Sequence, residues 1–172
     1  MRKNTLLLMI LAMVSFTTIA QSVDRSSFKA GVLAGMPVGD ASNYSTFALG
    51  LDVAHHWGVS ELFDAGIATG FIHAFGESQT INEGAATIKY EFEDIQFIPV
   101  AAAIRMYPTY EFKLGADVGY AVAVNDNMDG GFYIRPSIGY NITGNTELNV
   151  SYINVSNDWK FSMVSLGLLF LF

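Results

Sequence analysis

Residues 110–124 sort by parity. Tyr110, Phe112, Leu114, Ala116, Val118, Tyr120, Val122 and Val124 alternate with Glu111, Lys113, Gly115, Asp117, Gly119, Ala121 and Ala123. The first set is wholly apolar; the second is charged or small. Successive side chains of a strand point to opposite faces, so this segment is a strand with one apolar face. A helix of period 3.6 would scatter both sets around its axis.

The pattern recurs along the chain. Phe132, Ile134, Pro136, Ile138, Tyr140 and Ile142 oppose Tyr133, Arg135, Ser137, Gly139 and Asn141. Ile98, Val100, Ala102, Ile104 and Met106 oppose Ala101, Ala103 and Arg105. Phe47, Leu49, Leu51, Val53 and Trp57 oppose Thr46, Ala48, Gly50, Asp52 and Ala54. Phe63, Ala65, Ile67 and Phe71 oppose Asp64, Gly66, Ala68 and Gly70, and Val164, Leu166, Leu168, Phe170 and Phe172 share the last apolar face. With weaker segments at Phe28–Met36 and Thr146–Val155, the chain reads as eight strands. The joins at Gly58–Glu61, Pro108-Thr109 and Gly144-Asn145 carry turn chemistry. The joins at Pro37–Ser45, Glu77–Phe92 and Asn125–Gly130 are longer; that at Ser156–Asp158 is short.

Composition now decides which eight-stranded sheet this is. Of 172 residues 51% are apolar and only 15% charged, against roughly 25% charged in an average soluble domain. The longest later apolar stretches, Ile98–Ile104 and Leu166–Phe172, are too short for a helical span, which needs roughly 20 residues. In hydrocarbon a sheet satisfies its backbone only by closing on itself. The expected fold is therefore all-β: a closed eight-stranded antiparallel up-and-down transmembrane barrel with its apolar residues outside. A soluble barrel of lipocalin type would turn them inward.

The first residues read as a cleaved export signal. Arg2 and Lys3 precede the apolar run Leu6–Val14, and Thr18-Ile19-Ala20 places small residues for a cut after Ala20. The expected organisation is a signal peptide over 1–20 and a barrel domain over 21–172. Removing Arg2 and Lys3 leaves seven of nine basic residues against sixteen acidic, a net charge of −9. That balance argues against nucleic acid, whose phosphates need a basic face. With no Cys in the chain, disulfides, thiolate zinc and a lipid-modified cysteine are excluded.

The chain ends Ser165-Leu166-Gly167-Leu168-Leu169-Phe170-Leu171-Phe172. This resembles the C-terminal signal of outer-membrane barrels. Residues 21–172 as a whole resemble the small eight-stranded barrels of the outer-membrane-protein A and X type. Met36-Pro37-Val38-Gly39-Asp40 and Phe97-Ile98-Pro99-Val100 look like the variants common in Bacteroidetes. The resemblance implies that Ser165, Gly167, Phe170 and Phe172 are read by the barrel-assembly machinery during insertion. It also implies a Gram-negative outer membrane, contact with lipid and lipopolysaccharide, and a monomer. No peptidoglycan-binding domain follows the barrel, so wall anchoring is not implied.

The remaining residues suggest specific places. Trp57, Tyr110, Tyr140 and Phe172 near one rim, with Phe132 and Trp159 near the other, are expected to form the interfacial aromatic girdles. Asp52, Asp64, Arg105, Glu111, Lys113, Asp117, Arg135 and Glu147 fall on the inner face, both signs together. They are expected to pair into a plug, with Arg105 and Glu111 opposed across the Pro108-Thr109 turn. The competing reading is an ion path or gate. His55 and His56 point to opposite strand faces, so they cannot share a metal and read as interfacial residues. His73 with Glu77 and Ser78 is a sparse hint of hydrolase chemistry, and no catalytic set is expected. Gly76–Asp94 reads as a hairpin turning at Asn82-Glu83-Gly84, continuing its flanking strands above the membrane and offering an edge to a protein partner. Glu93-Asp94 and Asp126/Asp129 lack calcium-loop spacing, so no metal or cofactor is expected. The function read from all this is structural or interaction-based: membrane integrity, adhesion or surface contact. A narrow porin-like channel is the alternative and a lipid-modifying enzyme a more distant one.

Overall fold

The structure is a computed structural model describing residues 26–83, 86–125 and 128–172, with 26, 79–83 and 86–91 described by backbone alone. The expected signal segment and Asp126 lie outside the described residues. The strands are β1 (Ser26–Pro37), β2 (Ser45–Gly58), β3 (Phe63–Gly76), β4 (Ser78–Glu83), β5 (Ala86–Glu91), β6 (Ile95–Met106), β7 (Phe112–Ala123), β8 (Gly131–Thr143), β9 (Thr146–Ser156) and β10 (Lys160–Leu171). Eight of them close a barrel in the order β1-β2-β3-β6-β7-β8-β9-β10, and β10 returns to β1. The closing seam is a full antiparallel ladder from Lys29↔Leu171 to Pro37↔Met163. This is the all-β, closed, eight-stranded antiparallel fold of transmembrane barrels. Among the described residues no helix is long and apolar enough to cross a membrane.

The barrel is inside-out relative to a soluble protein. Val32, Ile67 and Val100 are 54%, 60% and 59% exposed, and they stand mid-strand on the outer wall. No outward strand residue between the two rims is Asp, Glu, Lys or Arg. Such a surface is stable against lipid chains and not against water. Parity holds along β6, β7 and β8, whose alternating burial follows the sequence pattern. It slips at two strand ends, where the β8–β9 register shifts between Asn141 and Thr143 and the β2–β3 register between Ser45 and Phe47. Ser45 is therefore the buried residue, its Oγ donating to the Phe75 carbonyl at 2.8 Å, and Thr46 is exposed.

Two prolines interrupt the wall. Pro99 keeps its pairing with Ala121 of β7, but the β3–β6 ladder lapses between Thr69↔Val100 and Ile72↔Phe97. Pro136 keeps Ala116 of β7, and the β8–β9 ladder lapses between Ile134↔Asn154 and Ser137↔Ser151. Proline lacks the N–H that a ladder needs, so each gap falls on the side where that donor is missing. At the first gap Thr69 Oγ1 donates to the Pro99 carbonyl at 2.8 Å. In hydrocarbon that replacement bond matters, because water cannot supply one.

One rim has the tight turns β2–β3, β6–β7 and β8–β9. The other has the longer connections. There a short 3-10 helix, Gly39–Asn43, follows β1, with Gly39 at φ 65°. It sets Ala41, 1% exposed, into the barrel mouth. Tyr44 Oη then donates to the Lys160 carbonyl at 2.7 Å. Burial, with Asp40 nearby, raises the Tyr44 pKa. β4 and β5 pair with each other from Ser78↔Glu91 to Glu83↔Ala86 as a separate two-stranded sheet. The expected hairpin is present, but it is not a continuation of the barrel ladder. It is pinned at its base by Phe92 N–H to Glu77 O and by Gly76 N–H to Asp94 Oδ1.

Candidate functional site

The lumen is the site the sequence points to. At mid-barrel, β7 places Asp117 inward, 0% exposed. One of its carboxylate oxygens accepts Arg105 Nη1 from β6. The other accepts Arg135 Nε from β8 at 2.7 Å and pairs with its Nη2 at 2.6 Å. The same guanidinium forks onto Asp52 of β2 at 2.7 and 3.1 Å. Four strands are thus tied by one alternating chain of charges. Arginine suits the task, because its planar fork satisfies two carboxylates at once.

A second cluster lies nearer the tight turns. Glu147 Oε2 on β9 accepts both Lys29 Nζ of β1 and Lys113 Nζ of β7, at 3.0 and 2.7 Å. Asn149 Nδ2 reaches Glu147 Oε1 at 3.3 Å. On the opposite wall Tyr107 Oη donates to Asp64 Oδ2. Small residues make room for these groups. A Cβ on Gly139 would stand 2.4 Å from Glu147 Oε1, and one on Gly115 would stand 2.9 Å from Arg105 Cδ. The buried cations Lys29, Arg105, Lys113 and Arg135 match the buried carboxylates Asp52, Asp64, Asp117 and Glu147 one for one.

Seven of the eight residues expected in the lumen are therefore in it, and Glu111 is not. β7 begins at Phe112, so Glu111 belongs to the turn and is exposed, accepting Thr109 Oγ1 at 3.2 Å. Arg105 faces Gly115 in the ladder and binds Asp117 instead. Two lumen residues were missed. Lys29 shares the parity of Gly31 and Leu33 and is 2% exposed. His56 shares the parity of Asp52 and Ala54 and is 1% exposed, so it is a lumen residue rather than an interfacial one. Neither ring nitrogen of His56 has a hydrogen-bond partner. His55 does face outward, edge-on to Trp57 at 4.6 Å.

Beyond mid-barrel the lumen turns apolar. Leu33, Ile72, Phe97, Ile153, Val155, Phe161 and Met163 form one buried cluster together with Tyr133. Trp159 belongs here, not to the outer girdle. It stacks on Phe97 at 5.7 Å, and Phe97 in turn meets Phe161 at 5.7 Å. Chain entry from the short β9–β10 loop turns that indole over the mouth. Of the other expected girdle residues, Trp57, Tyr140 and Phe132 face outward, Tyr140 against Phe112 at 5.1 Å. Tyr110 sits in the turn and is 81% exposed. In the C-terminal segment Ser165 and Gly167 point inward, Ser165 Oγ meeting Ser151 Oγ at 2.7 Å. Phe170 points outward, and Phe172 lies against Phe28 at 6.1 Å.

The histidine near the long-loop rim is engaged by other groups than the sequence suggests. His73 Nδ1 lies 3.0 Å from Gln96 Nε2, and Nε2 lies 3.3 Å from Asp94 Oδ2. Its acid is Asp94 rather than Glu77. Among the described residues no group of three or more His, Cys, Asp or Glu is arranged to hold a metal.

No family model matches the chain, and no curated protein matches it. Solved structures do. A de novo designed transmembrane β-barrel aligns with TM-score 0.54 at 12% identity, covering 88% of this chain and all of the design. Ail, the attachment invasion locus protein of Yersinia pestis, aligns with TM-score 0.55 at 14% identity over 86% of this chain and 97% of its own. Its complex with the heparin analogue sucrose octasulfate aligns with TM-score 0.50 at 16% identity, with the same coverage. The N-terminal barrel domain of Pseudomonas aeruginosa OprF gives 0.52 at 12% identity over 87% and 98%. At these identities the likeness is one of fold.

Proposed function

We propose that this chain is an outer-membrane barrel with a structural and surface-contact role rather than a conduit. The observation that carries the reading is the lumen, which is filled from mid-barrel to the long-loop mouth. Balanced ion pairs occupy one half and an aromatic plug occupies the other. An eight-stranded barrel is only wide enough for its side chains to fill.

The charge distribution supports surface contact. Among the described residues, the segments at the long-loop rim, 38–44, 77–83, 86–94, 124–125, 128–130 and 157–160, hold eight acidic residues and two basic ones, Lys89 and Lys160. With the buried charges of the described lumen balanced, most of the negative charge of the described residues stands on this rim. Ail has been solved with a polysulfated heparin analogue. An acidic rim repels such a polyanion, so the partners that suit this surface are neutral or cationic. In this reading the long loops face outward, the β4–β5 hairpin is the part most available to a protein partner, and Phe170 and Phe172 on the last strand engage the assembly machinery. Lipid and lipopolysaccharide surround the outer wall.

Planar-bilayer recording tests the proposal. Purified protein inserted in a bilayer is expected to give no discrete conductance steps. Stable single-channel steps would favour the narrow-pore reading instead.

A further inference from the structure

The long-loop mouth holds an open cavity of about 360 Å³, within the roughly 300–1,000 Å³ typical of small-molecule sites. Tyr44, Ile95, Met128, Asp129 and Trp159 line it. They come from separate connections and strand ends that meet over the plug, and other elements hold them in place. Tyr44 Oη donates to the Lys160 carbonyl at 2.7 Å, and Glu77 N–H donates to the Tyr44 carbonyl at 2.9 Å. Asn125 brackets Ile95: its Oδ1 accepts Gln96 N–H at 2.9 Å and its Nδ2 donates to the Asp94 carbonyl at 3.1 Å. Met128 N–H donates to the Asn125 carbonyl at 3.2 Å.

The chemistry of this wall is narrow. Trp159 gives one face to Phe97, with planes 17° apart, and stays only partly buried. The Tyr44 hydroxyl is spent on Lys160, so its ring is what it offers. Asp129 is exposed and is the one ionised side chain in the described lining. No Lys or Arg joins it there; Lys160 takes the outward parity of β10 and Phe161 the inward. An anion finds a carboxylate and no cation. A sugar finds a single side chain with hydrogen-bonding capacity left. A bare ammonium is strongly hydrated and would trade its water for one acceptor. A trimethylammonium group carries charge without N–H donors, and aromatic faces attract it.

We propose that this cavity binds a small trimethylammonium compound of the choline type, with the cation against Trp159 and Tyr44 and Asp129 as its counter-charge. The acidic rim around it draws such cations in. The site gives the surface-contact reading a chemical class of partner, and it rests on that reading only for which side of the membrane the mouth faces. Conductance steps would overturn the plugged lumen and leave this site standing; absence of cation binding would overturn this site and leave the plug standing.

The test uses the folded protein in a maltoside detergent, which carries no ammonium group. Trp57→Phe leaves Trp159 as the sole indole, and its emission reports choline titration. A saturable change is expected. The neutral isostere 3,3-dimethylbutan-1-ol and the bare ammonium of ethanolamine are each expected to bind at least about fivefold more weakly, as loss of the cation–ring attraction implies. Glycerophosphocholine is titrated alongside: tighter choline assigns the site to a free solute, tighter glycerophosphocholine to a lipid headgroup, and either result carries the inferred group. Asp129→Asn, at an exposed position, is expected to weaken choline about threefold. Trp159→Leu, read by saturation transfer to the choline methyl signal, is expected to weaken it at least about fivefold. The proposal is overturned if choline gives no saturable change, if the isostere or ethanolamine binds as tightly, or if folded Trp159→Leu and Asp129→Asn both bind like the parent.

Discussion

In the tight-turn half of the lumen four cations meet four carboxylates; in the long-loop half Phe97, Phe161 and Met163 pack under Trp159 with no buried charge among them. The same wall, with the same strand spacing, is closed by opposite chemistry at its two ends. The charged half works by pairing. Each group removed leaves another without its partner in a medium that cannot solvate it. The apolar half works by volume, so it accepts a change of shape that keeps its bulk. The familiar expectation of a polar barrel interior describes only one of the two halves.

The widest separation between them is expected from near-isosteric swaps. Asp117→Asn keeps the shape but leaves Arg105 without a carboxylate and Arg135 with one. It is expected to lower stability by about 3–5 kcal/mol, read as a shift in reversible urea unfolding in lipid vesicles. Gly139→Ala drives a methyl into the carboxylate of Glu147 and disturbs both lysines. A loss of about 1–3 kcal/mol is expected, and an unchanged midpoint would show that Glu147 moves aside freely. Met163→Leu in the other half, which keeps the bulk, is expected to lose less than about 1.5 kcal/mol. If it loses as much as Asp117→Asn, the contrast between the halves fails. Smallest is Thr69→Val, at the seam near the boundary of the halves. Without its hydroxyl the Pro99 carbonyl has no donor from that side chain, and a loss of about 1 kcal/mol is expected. Faster amide exchange on β3 at that seam would accompany it.

What was legible in the sequence follows from contrast. Where one face is apolar and the other charged or small, as from Phe112 to Ala123, parity alone places every side chain correctly. Where both faces are apolar the contrast vanishes. Val155, Phe161 and Met163 point inward, yet nothing in their own segments distinguishes them from Tyr152, Val164 and Leu166 outside. The aromatic plug is therefore not legible in the alternation, and Trp159, a girdle residue by its place near the rim, belongs to the plug. Glu111 was misplaced by one boundary: the β6–β7 turn extends to it, so the parity of β7 does not apply. Lys29 and His56 were recoverable, since each shares the inward parity of its strand.

The central claim is that the apolar set faces lipid while the long-loop mouth is sealed from within. The chain has two tryptophans, one on each side of this divide: Trp57 on the outer wall and Trp159 on the plug. Trp159→Phe leaves Trp57 as the sole indole, and Trp57→Phe leaves Trp159. In vesicles whose acyl chains carry bromine near the headgroup, the fluorescence of Trp57 should be strongly quenched and that of Trp159 should be nearly unaffected. Equal quenching of both, or quenching of Trp159 alone, would contradict the account.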